Sequence, residues 1–235
     1  MIELKKFIPL LLLAVLLLSH AVFAATDSSK LLYLTFDDGP THNTPAILDI
    51  LKKYNAKATF FVLEGRITEN PDLLKRIIAE GHHVGLHGVS HDVNKIYSAP
   101  SIPLEEMNKA NETLYNTIGF KTKLIRTPYG SYPYMSLEQY KILKAANYKL
   151  WDWTVDPRDG VGTPSIDTML KHIEKDLKGN EKPIILLHDK KSTVNNLDTI
   201  LNYLSSRGYS FALIDESMDS VNFMELYGPA KNKSS

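Results

Sequence analysis

The sequence predicts an α/β fold in which parallel strands alternate with helices and close into a barrel. Seven short apolar runs of strand-like composition alternate with segments whose apolar residues recur at helical spacing. The 235 residues, 43% of them hydrophobic, are enough for one barrel domain with a sizeable core. Five of the apolar runs lead into polar residues, as expected for an active site at the carboxyl ends of barrel strands.

Strands are expected where β-branched, aromatic and aliphatic residues are concentrated in short runs. These runs lie at residues 31–36, 58–63, 83–86, 124–126, 148–153, 183–187 and 211–214. Helices are expected at residues 104–118, 136–146, 165–178 and 196–207. Two earlier helices are predicted from Thr44-Pro45 and Asn70-Pro71, where a capping residue precedes proline at the first helical position.

The N-terminus has the composition of a secretory signal peptide. Lys5 and Lys6 precede an apolar run at residues 7–18, and residues 22–24 offer a cleavage site. The run is shorter than the ~20 residues that a membrane-spanning helix needs. We therefore predict a cleaved signal at residues 1–24, with an uncleaved membrane anchor as the alternative. Residues 25–230 would form one catalytic domain, and residues 231–235 a flexible tail.

Composition excludes several classes of partner and site. The 27 basic and 27 acidic residues give no net charge, so nucleic acid is not expected as a partner. The chain has no cysteine, which excludes disulfides, a thiolate metal site and a cysteine nucleophile. No obligatory protein partner is evident. An exported protein without disulfides is more typical of a bacterium than of an animal secretion.

Two adjacent carboxylates, Asp37 and Asp38, follow the first predicted strand. Because adjacent residues leaving a strand point in different directions, one carboxylate can ligate a metal while the other faces the substrate. Gly39 and Pro40 predict a turn that holds both carboxylates at the barrel rim. A plain turn without chemistry is the alternative.

His87 and His91 follow the third predicted strand and are four residues apart. If this segment turns helically, both imidazoles lie on one face, within reach of a single ion. With Asp38 they would form a set of two histidines and a carboxylate, which is typical of a catalytic zinc site with an open position. Two unrelated surface histidines are the alternative.

Arg126 ends a predicted strand and is followed after one residue by Pro128-Tyr129-Gly130. An arginine beside a carboxylate at the rim keeps that carboxylate ionised and oriented. The turn can present the backbone N–H of Tyr129 as a preorganised donor to an oxyanion. A structural salt bridge followed by an ordinary turn is the alternative.

His188 ends the apolar strand at residues 183–187. A histidine in this position is either a hydrogen-bonded core residue or an acid–base group at the rim. Asp156 follows the preceding strand, and we expect it to accept the ring N–H of His188 and raise the pKa of the imidazole. A histidine paired in this way is suited to donate a proton to a leaving amine.

Several aromatic residues lie in or after the later predicted strands. They are Tyr129, Tyr132, Tyr134, Trp151 and Trp153. Together they could form the floor of a sugar-binding site. Taken singly, each is equally compatible with a place in the core.

Together these segments resemble the motifs of one known family. In chain order they are Thr35-Phe36-Asp37-Asp38-Gly39-Pro40, His87-x-x-x-His91, Arg126-x-Pro128-Tyr129-Gly130, Asp156-x-x-Asp159 and Leu186-x-His188. In this order they resemble the polysaccharide deacetylases of carbohydrate esterase family 4, the NodB-homology domain. The resemblance covers residues 31 to 215.

The resemblance implies a distorted (β/α) barrel of seven or eight parallel strands. It implies one divalent metal ion, commonly Zn²⁺ with Co²⁺ or Ni²⁺ as alternatives, held by Asp38, His87 and His91. Asp37 would be the general base and His188 the general acid, oriented by Arg126 and Asp156 respectively. The Tyr129 N–H would stabilise the oxyanion. Pro128, Tyr129, Gly130 and Leu186 would contact the substrate.

Two positions depart from the family pattern. The fourth motif usually ends in tryptophan, and the matching residue here is Gly160. This change removes one wall that the resemblance implies for the acetyl pocket. Thr127 stands where proline is common in the third motif. All residues implied for metal binding and acid–base chemistry are present.

The resemblance implies a metal-dependent enzyme that removes N-acetyl groups from glycans containing N-acetylglucosamine, and the signal-like N-terminus predicts that it is exported. Peptidoglycan is the first expected substrate, and chitin oligosaccharides and poly-N-acetylglucosamine come next. Such a protein would be secreted or associated with the bacterial cell envelope. An esterase acting on O-acetylated xylan and a weakly active glycan-binding relative are the alternatives. A metallopeptidase fits poorly because the chain has no His-Glu-x-x-His motif.

Overall fold

The computed structural model describes residues 30–231 of the chain. The predicted signal peptide, residues 1–24, lies outside the described residues, as does the predicted tail beyond Lys231. Within the described range, no helix is both long enough and apolar enough to cross a membrane.

Within residues 30–231, seven strands form one sheet, and each of them overlaps a predicted strand. They are β1 Lys30–Gly39, β2 Thr59–Val62, β3 His83–Leu86, β4 Leu124–Ile125, β5 Lys149–Leu150, β6 Ile184–His188 and β7 Tyr209–Ala212. The strand order is β5-β4-β3-β2-β1-β6, with β7 paired to β1. All five neighbouring pairs along that order are parallel, which confirms the predicted α/β class.

The segment after β5 joins the two edges of the sheet. Val155 forms an isolated parallel bridge with Ile185 of β6. The Val155 N–H donates to the carbonyl of Ile184 at 3.0 Å, and the Leu186 N–H donates to the carbonyl of Val155 at 3.0 Å. The sheet therefore curls into a barrel whose closure depends on an irregular segment rather than on a full strand, which is the distorted barrel that the resemblance implies.

Helices follow most of the strands. They are α1 Thr44–Lys53, α2 Glu64–Glu69, α3 Pro71–Ala79, α4 Val93–Ile96, α5 Ile102–Ile118, α6 Leu137–Ala145, α7 Ile166–Leu177, α8 Lys191–Ser205 and α9 Phe223–Leu226. The short helices α2, α4 and α9 were not predicted because four to six residues are too few to show apolar periodicity. Helix α8 begins five residues before the predicted start at residue 196, in a polar segment whose buried Thr193 does not read as apolar.

Side chains on opposite faces of the sheet fill two separate apolar layers, because successive residues of a strand point in opposite directions. Leu32, Leu34 and Phe36 of β1 belong to the large cluster between the sheet and the helices. The barrel interior holds a smaller cluster of Tyr33, Phe61, Leu124, Trp151, Ile184 and Ile214. Residues 35 and 37 share the interior face with Tyr33, so β1 directs the carboxylate of Asp37 into the barrel.

Candidate active site

A buried ion pair lies at the carboxyl end of β1. The side chain of Arg126 is fully buried, and its Nη1 donates to Oδ1 of Asp37 at 2.9 Å. The same guanidinium donates to Oγ1 of Thr35 at 2.7 Å and to the carbonyls of Trp151 and Asp152 at 3.0 Å each. These bonds satisfy the buried charge and fix its direction. Arg126 is thus placed where it orients Asp37.

Asp38 turns out of the strand that carries Asp37. Its φ angle is 71°, and the register between β1 and β2 shifts between Asp37 and Gly39. Oδ1 of Asp38 lies 3.5 Å from Nε2 of His87 and 3.3 Å from Nε2 of His91. One possible ligand atom from each of these three residues lies within 4.8 Å of the others. The structure therefore brings the three predicted metal ligands together.

The orientation of His87 is set by a backbone carbonyl. Its Nδ1 lies 2.8 Å from the carbonyl oxygen of Arg126, which can only accept a hydrogen bond. Nδ1 therefore carries the proton, and the lone pair of Nε2 faces Asp38. Burial lowers the pKa of His87, so the ring is held in the neutral form that a metal requires.

The chemistry of these donors fits a divalent cation. Oδ1 of Asp38 is buried and has no hydrogen-bond partner. Burial alone would raise the pKa of Asp38, but the contact with His91 and the charges of the surrounding histidines hold this pKa well below its usual range. An ionised oxygen facing the lone pair of an imidazole is stable only when a proton or a cation lies between them. Two imidazoles and one carboxylate suit zinc in particular.

The segment between His87 and His91 does not turn helically, which was the condition given for placing the two imidazoles on one face. This segment is an irregular loop in which Gly88 has a φ angle of 87° and His91 a φ angle of 43°. Glycine reaches such angles without steric cost, whereas a side chain there is strained. The loop, rather than helical spacing, brings the two imidazoles to a centroid distance of 5.4 Å.

Glu106 of α5 anchors that loop. Its Oε2 accepts hydrogen bonds from the backbone N–H groups of Val89 and Ser90, at 2.8 and 3.1 Å. Its Oε1 accepts a hydrogen bond from the hydroxyl of Ser90 at 2.6 Å. The carboxylate thus replaces the hydrogen bonds that a regular element would supply, and it fixes the segment that carries His91.

His188 is paired with Asp159. Nδ1 of His188 lies 2.8 Å from Oδ1 of Asp159, and the His188 backbone N–H donates to Oδ2 at 2.8 Å. The hydroxyl of Thr193 also donates to Oδ2, at 2.5 Å. Burial would lower the pKa of His188, but the hydrogen bond and charge of Asp159, with further contributions from Asp37 and Asp38, raise it to about 9.

The prediction that Asp156 accepts the ring N–H of His188 is wrong. Asp156 instead accepts a hydrogen bond from the Arg158 backbone and forms an ion pair with its side chain at 3.3 Å. The chain turns at Arg158, whose φ angle is 66°, and this turn brings Asp159 beneath His188. Asp159 is fully buried, whereas about a quarter of the Asp156 side chain is accessible (23%).

Gly160 lies directly against the ring of His188. A Cβ atom at this position would be 2.7 Å from Cε1 of His188 and 3.3 Å from both ring nitrogens. The φ angle of Gly160 lies outside the left-handed range, so the backbone itself admits a side chain. A side chain here would require the His188 ring to shift, and the loss of one wall of the acetyl pocket stays a prediction.

The residues predicted to contact substrate lie near the end of β6 and in the segment that follows β4. Leu186 lies two residues before His188 on the same face of β6, and 6% of its surface is accessible. Pro128 and Gly130 are buried, and Tyr129 is 48% exposed between them with a φ angle of 66°. The Tyr129 hydroxyl donates to the carbonyl of His91 at 3.1 Å. The role of its backbone N–H as an oxyanion donor remains a prediction.

The aromatic residues divide between surface and core. Tyr132 and Tyr134 are 40% and 49% exposed, whereas Trp151 is fully buried in the barrel interior. Trp153 is partly buried and packs edge-to-face on Phe223 at a centroid distance of 4.9 Å. Only the tyrosines are therefore accessible enough to contact a ligand extensively.

Two residues that support the site were missed from the sequence. Asp159 is visible in the fourth motif, but spacing along a loop does not show which of its two aspartates meets His188. Glu106 lies in a charged stretch of a helix, where a carboxylate normally faces solvent. One general argument could have pointed to Glu106. The backbone N–H groups of an irregular loop need hydrogen-bond acceptors, and a carboxylate can supply them.

Comparisons with known proteins agree with this geometry. A family model described as polysaccharide deacetylase matches residues 24–151. The chain is 40% identical over 211 residues to YheN of Bacillus subtilis (strain 168), covering 88% of this chain and 75% of the relative. It is 38% identical over 200 residues to a peptidoglycan-N-acetylglucosamine deacetylase of Bacillus cereus, and the match covers 83% of this chain and 73% of the relative.

A solved structure shows the same architecture. The crystal structure of the polysaccharide deacetylase Bc1974 from Bacillus cereus superposes with a TM-score of 0.74 at 36% sequence identity. The match covers 83% of this chain and 97% of that chain. Sequence, fold and site geometry therefore lead to one assignment: this chain belongs to the polysaccharide deacetylase family.

Proposed function

We propose that this protein is an exported, metal-dependent hydrolase that removes N-acetyl groups from glycans containing N-acetylglucosamine. One observation carries the proposal. A buried carboxylate, Asp37, and a carboxylate-paired imidazole, His188, are register partners on neighbouring strands beside the three candidate metal ligands. A site that only binds glycan needs no such base and acid.

Asp38, His87 and His91 would hold the metal ion, for which Zn²⁺ is the first candidate and Co²⁺ or Ni²⁺ the alternatives. When bound, the ion supplies Lewis acidity that polarises the acetyl carbonyl and makes the attacking water more acidic. The remaining work falls to residues of the chain. Because His87 is fixed by the Arg126 carbonyl, its Nε2 is available without rearrangement.

Asp37 would act as the general base. Its Oδ1 is bound by Arg126, which leaves Oδ2 to take a proton from water as the water oxygen adds to the acetyl carbonyl carbon. The buried guanidinium holds the carboxylate in one orientation, so the proton acceptor is in place before substrate arrives. We assign the Tyr129 N–H to the developing oxyanion.

His188 would act as the general acid. Asp159 holds Nδ1, which leaves Nε2 to protonate the departing sugar nitrogen as its bond to the acetyl carbon breaks. The products are acetate and a free amine on the glycan. With a pKa of about 9, His188 is protonated at neutral pH and is ready to donate. Pro128, Gly130 and Leu186 would line the space for the acetyl group.

Peptidoglycan is the first candidate substrate. The supporting observation is the likeness to a peptidoglycan-N-acetylglucosamine deacetylase, together with the signal-like N-terminus. Chitin oligosaccharides and poly-N-acetylglucosamine present the same acetamide and rank next. The protein would then act in the cell envelope or outside the cell.

The test is acetate release by zinc-loaded protein from purified peptidoglycan, N-acetylglucosamine oligomers and O-acetylated xylan. We expect acetate from at least one N-acetylated glycan, with one new amine for each acetate. Acetate from xylan alone would replace the proposal with an O-acetyl esterase. Glycan binding without acetate from any substrate would reject an enzymatic function.

A further inference from the structure

A buried carboxylate lies behind the turn that carries Tyr129. Asp152 follows β5, is fully buried and belongs to none of the five motifs. Its Oδ1 accepts the backbone N–H of Ser131 at 3.0 Å, and its Oδ2 accepts the hydroxyl of Ser131 at 2.5 Å and the backbone N–H of Phe223 at 2.6 Å. These three donors satisfy a charge that would be costly in the interior without them. Asp152 therefore ties the segment after β4 to the start of α9.

The turn has a backbone conformation that its surroundings must maintain. Tyr129 has a φ angle of 66° and Gly130 a φ angle of 82°. A residue with a side chain is strained in this region and persists there only where neighbouring groups fix it. The direction of the Tyr129 backbone N–H depends on these angles. The oxyanion donor proposed above is therefore only as well placed as the turn.

Hydrogen bonds hold the turn from two directions. The hydroxyl of Tyr97 lies 2.9 Å from each of the carbonyl oxygens of Pro128 and Gly130, to which it donates. Asp152 holds the next residue, Ser131, by both its backbone N–H and its hydroxyl. Tyr97 thus fixes carbonyl groups of the turn, and Asp152 fixes the residue at which the turn ends.

Helix α9 packs against the same turn. The backbone N–H of Met224 donates to the hydroxyl oxygen of Ser131 at 3.2 Å, while that hydroxyl donates its own proton to Asp152. A Cβ atom at Gly130 would lie 3.1 Å from Cε2 of Phe223, so this ring is in direct contact with the turn. The carboxylate of Asp152 is thus the group that bonds both the turn and α9.

Asp152 contacts the arginine of the candidate base through its backbone alone. Its carbonyl oxygen accepts a hydrogen bond from Nη2 of Arg126 at 3.0 Å, and the same guanidinium bonds Asp37. The side chain of Asp152 contacts the turn instead. Because a side-chain substitution leaves the carbonyl in place, it should loosen the turn without removing this bond to Arg126.

We propose that Asp152 is a positioning residue that fixes the turn at residues 127–131, so that the Tyr129 N–H faces the oxyanion as it forms. The inference rests on the proposed function and adds to it a residue outside the motifs. Because the oxyanion is absent from the bound substrate, a misplaced N–H should lower kcat and leave substrate binding unchanged. Among residues 30–231, no hydrogen bond joins Asp152 to a candidate metal ligand, so zinc binding should also be unchanged.

The experiment measures kcat and KM for acetate release from an N-acetylglucosamine hexamer by zinc-loaded protein. In either orientation of its amide, Asp152→Asn replaces one acceptor by a donor that faces a backbone N–H. We expect kcat to fall about 10- to 100-fold, while KM and zinc affinity stay within about twofold. Ser131→Ala removes only the hydroxyl and should lower kcat about three- to tenfold. This milder variant supplies the test if Asp152→Asn fails to fold.

Asn111→Ala is the matched control. Asn111 is a buried residue of α5 whose side chain exchanges two hydrogen bonds with the backbone of Thr122, at 2.9 and 3.2 Å, near the amino end of β4. This variant should lower the free energy of unfolding without changing kcat. Equal losses of kcat in Asn111→Ala and Asp152→Asn would mean that Asp152 acts on stability alone, and would overturn the inference.

Hydrogen–deuterium exchange at the Ser131 amide separates this inference from the proposed function. Exchange there should be faster in Asp152→Asn than in the wild-type protein, because the amide loses its acceptor or the carboxylate's fixed position. Faster exchange, with a wild-type protein that releases no acetate, would reject the deacetylase and keep Asp152 as the anchor of the turn. Unchanged exchange or unchanged kcat would contradict the inference, as would a loss of zinc affinity that matches the loss of kcat.

Discussion

The barrel side and the loop side of the candidate site are held in place by different means. The barrel side, Asp37 and Arg126, lies at strand ends, is almost completely buried and is bonded within the barrel. The loop side, His91 and His188, is more accessible, with 34% and 21% of the two side chains exposed. Each loop-side histidine depends on a carboxylate from another part of the chain, Glu106 near His91 and Asp159 for His188.

This difference predicts how substitutions on each side affect stability and activity. Removing one partner of a buried ion pair leaves an uncompensated charge and costs about 3–5 kcal/mol. Changes on the barrel side should therefore lower stability and activity together. Loop-side changes alter groups that water can partly solvate, so they should lower activity with a smaller effect on folding.

The largest expected effect comes from Asp37→Asn on the barrel side. Loss of the general base should reduce acetate release by about 10²–10⁴-fold. Because the buried Arg126 loses its charged partner, the free energy of unfolding should also fall by about 3–5 kcal/mol. The measurements are acetate release and urea unfolding, with zinc stoichiometry as the check that the metal ligands are intact.

The matched loop-side variant is His91→Ala. It should also abolish zinc-dependent release, while the free energy of unfolding of the metal-free protein changes by less than for Asp37→Asn. If His91→Ala lowered this free energy as much as Asp37→Asn, the distinction between the two sides would be wrong.

A second prediction concerns the acid and its pH dependence. With Asp159 in place the pKa of His188 is about 9, so release should fall as pH rises through that value. In Asp159→Asn the pKa should return toward the ordinary 6.5, which moves the alkaline limb of the pH–rate profile down by about two units. The stability that the His188–Asp159 pair contributes is full below pH 6.5 and is lost as pH rises through about 9.

Asp156→Asn is the control for this prediction. Its carboxylate pairs with Arg158 rather than His188, so the alkaline limb should stay where it is. A shift of the limb in Asp156→Asn but not in Asp159→Asn would reverse the assignment of the two aspartates.

A third prediction concerns Glu106, which lies outside every motif. In Glu106→Ala the loop that carries His91 loses three hydrogen bonds, and zinc affinity should fall about tenfold. Glu106→Gln should recover part of the affinity because an amide oxygen still accepts from the backbone. Glu105→Ala, an exposed neighbour, should leave zinc affinity unchanged, and competition with a chelator measures all three variants.

The smallest expected effect is that of Gly160→Ala. A methyl group 2.7 Å from Cε1 would force the His188 ring away from Asp159, so kcat should fall severalfold and the alkaline limb should move down. Gly65→Ala places a methyl where no atom lies within 4 Å and should change neither quantity. Higher activity in Gly160→Ala would instead support the prediction that Gly160 removes one wall of the acetyl pocket.

The residues at strand ends were largely predictable from the sequence, on both sides of the site. Asp37, His87, Arg126 and His188 all end or follow strands, and parallel strands bring such residues to one rim whatever the loops do. The loop contacts were less predictable. The partner of His188 depends on a turn at Arg158, and the position of His91 depends on a bond to a helix fifteen residues further along the chain, Glu106.

Contacts between residues that are distant in the sequence could not be predicted either. Gly160 lies against the ring of His188, and a residue type shows the size of a side chain but not which group lies beside it. Contacts of this kind follow from tertiary packing and leave no local pattern.

The most direct test is acetate release from peptidoglycan by metal-stripped protein during titration with zinc. We expect no release at the start, a rise with added zinc that ends at one ion per chain, and no rise in His87→Ala. Full release by the metal-stripped protein would reject the proposed metal dependence, and zinc-dependent release that persists without His87 would reject this residue as a ligand.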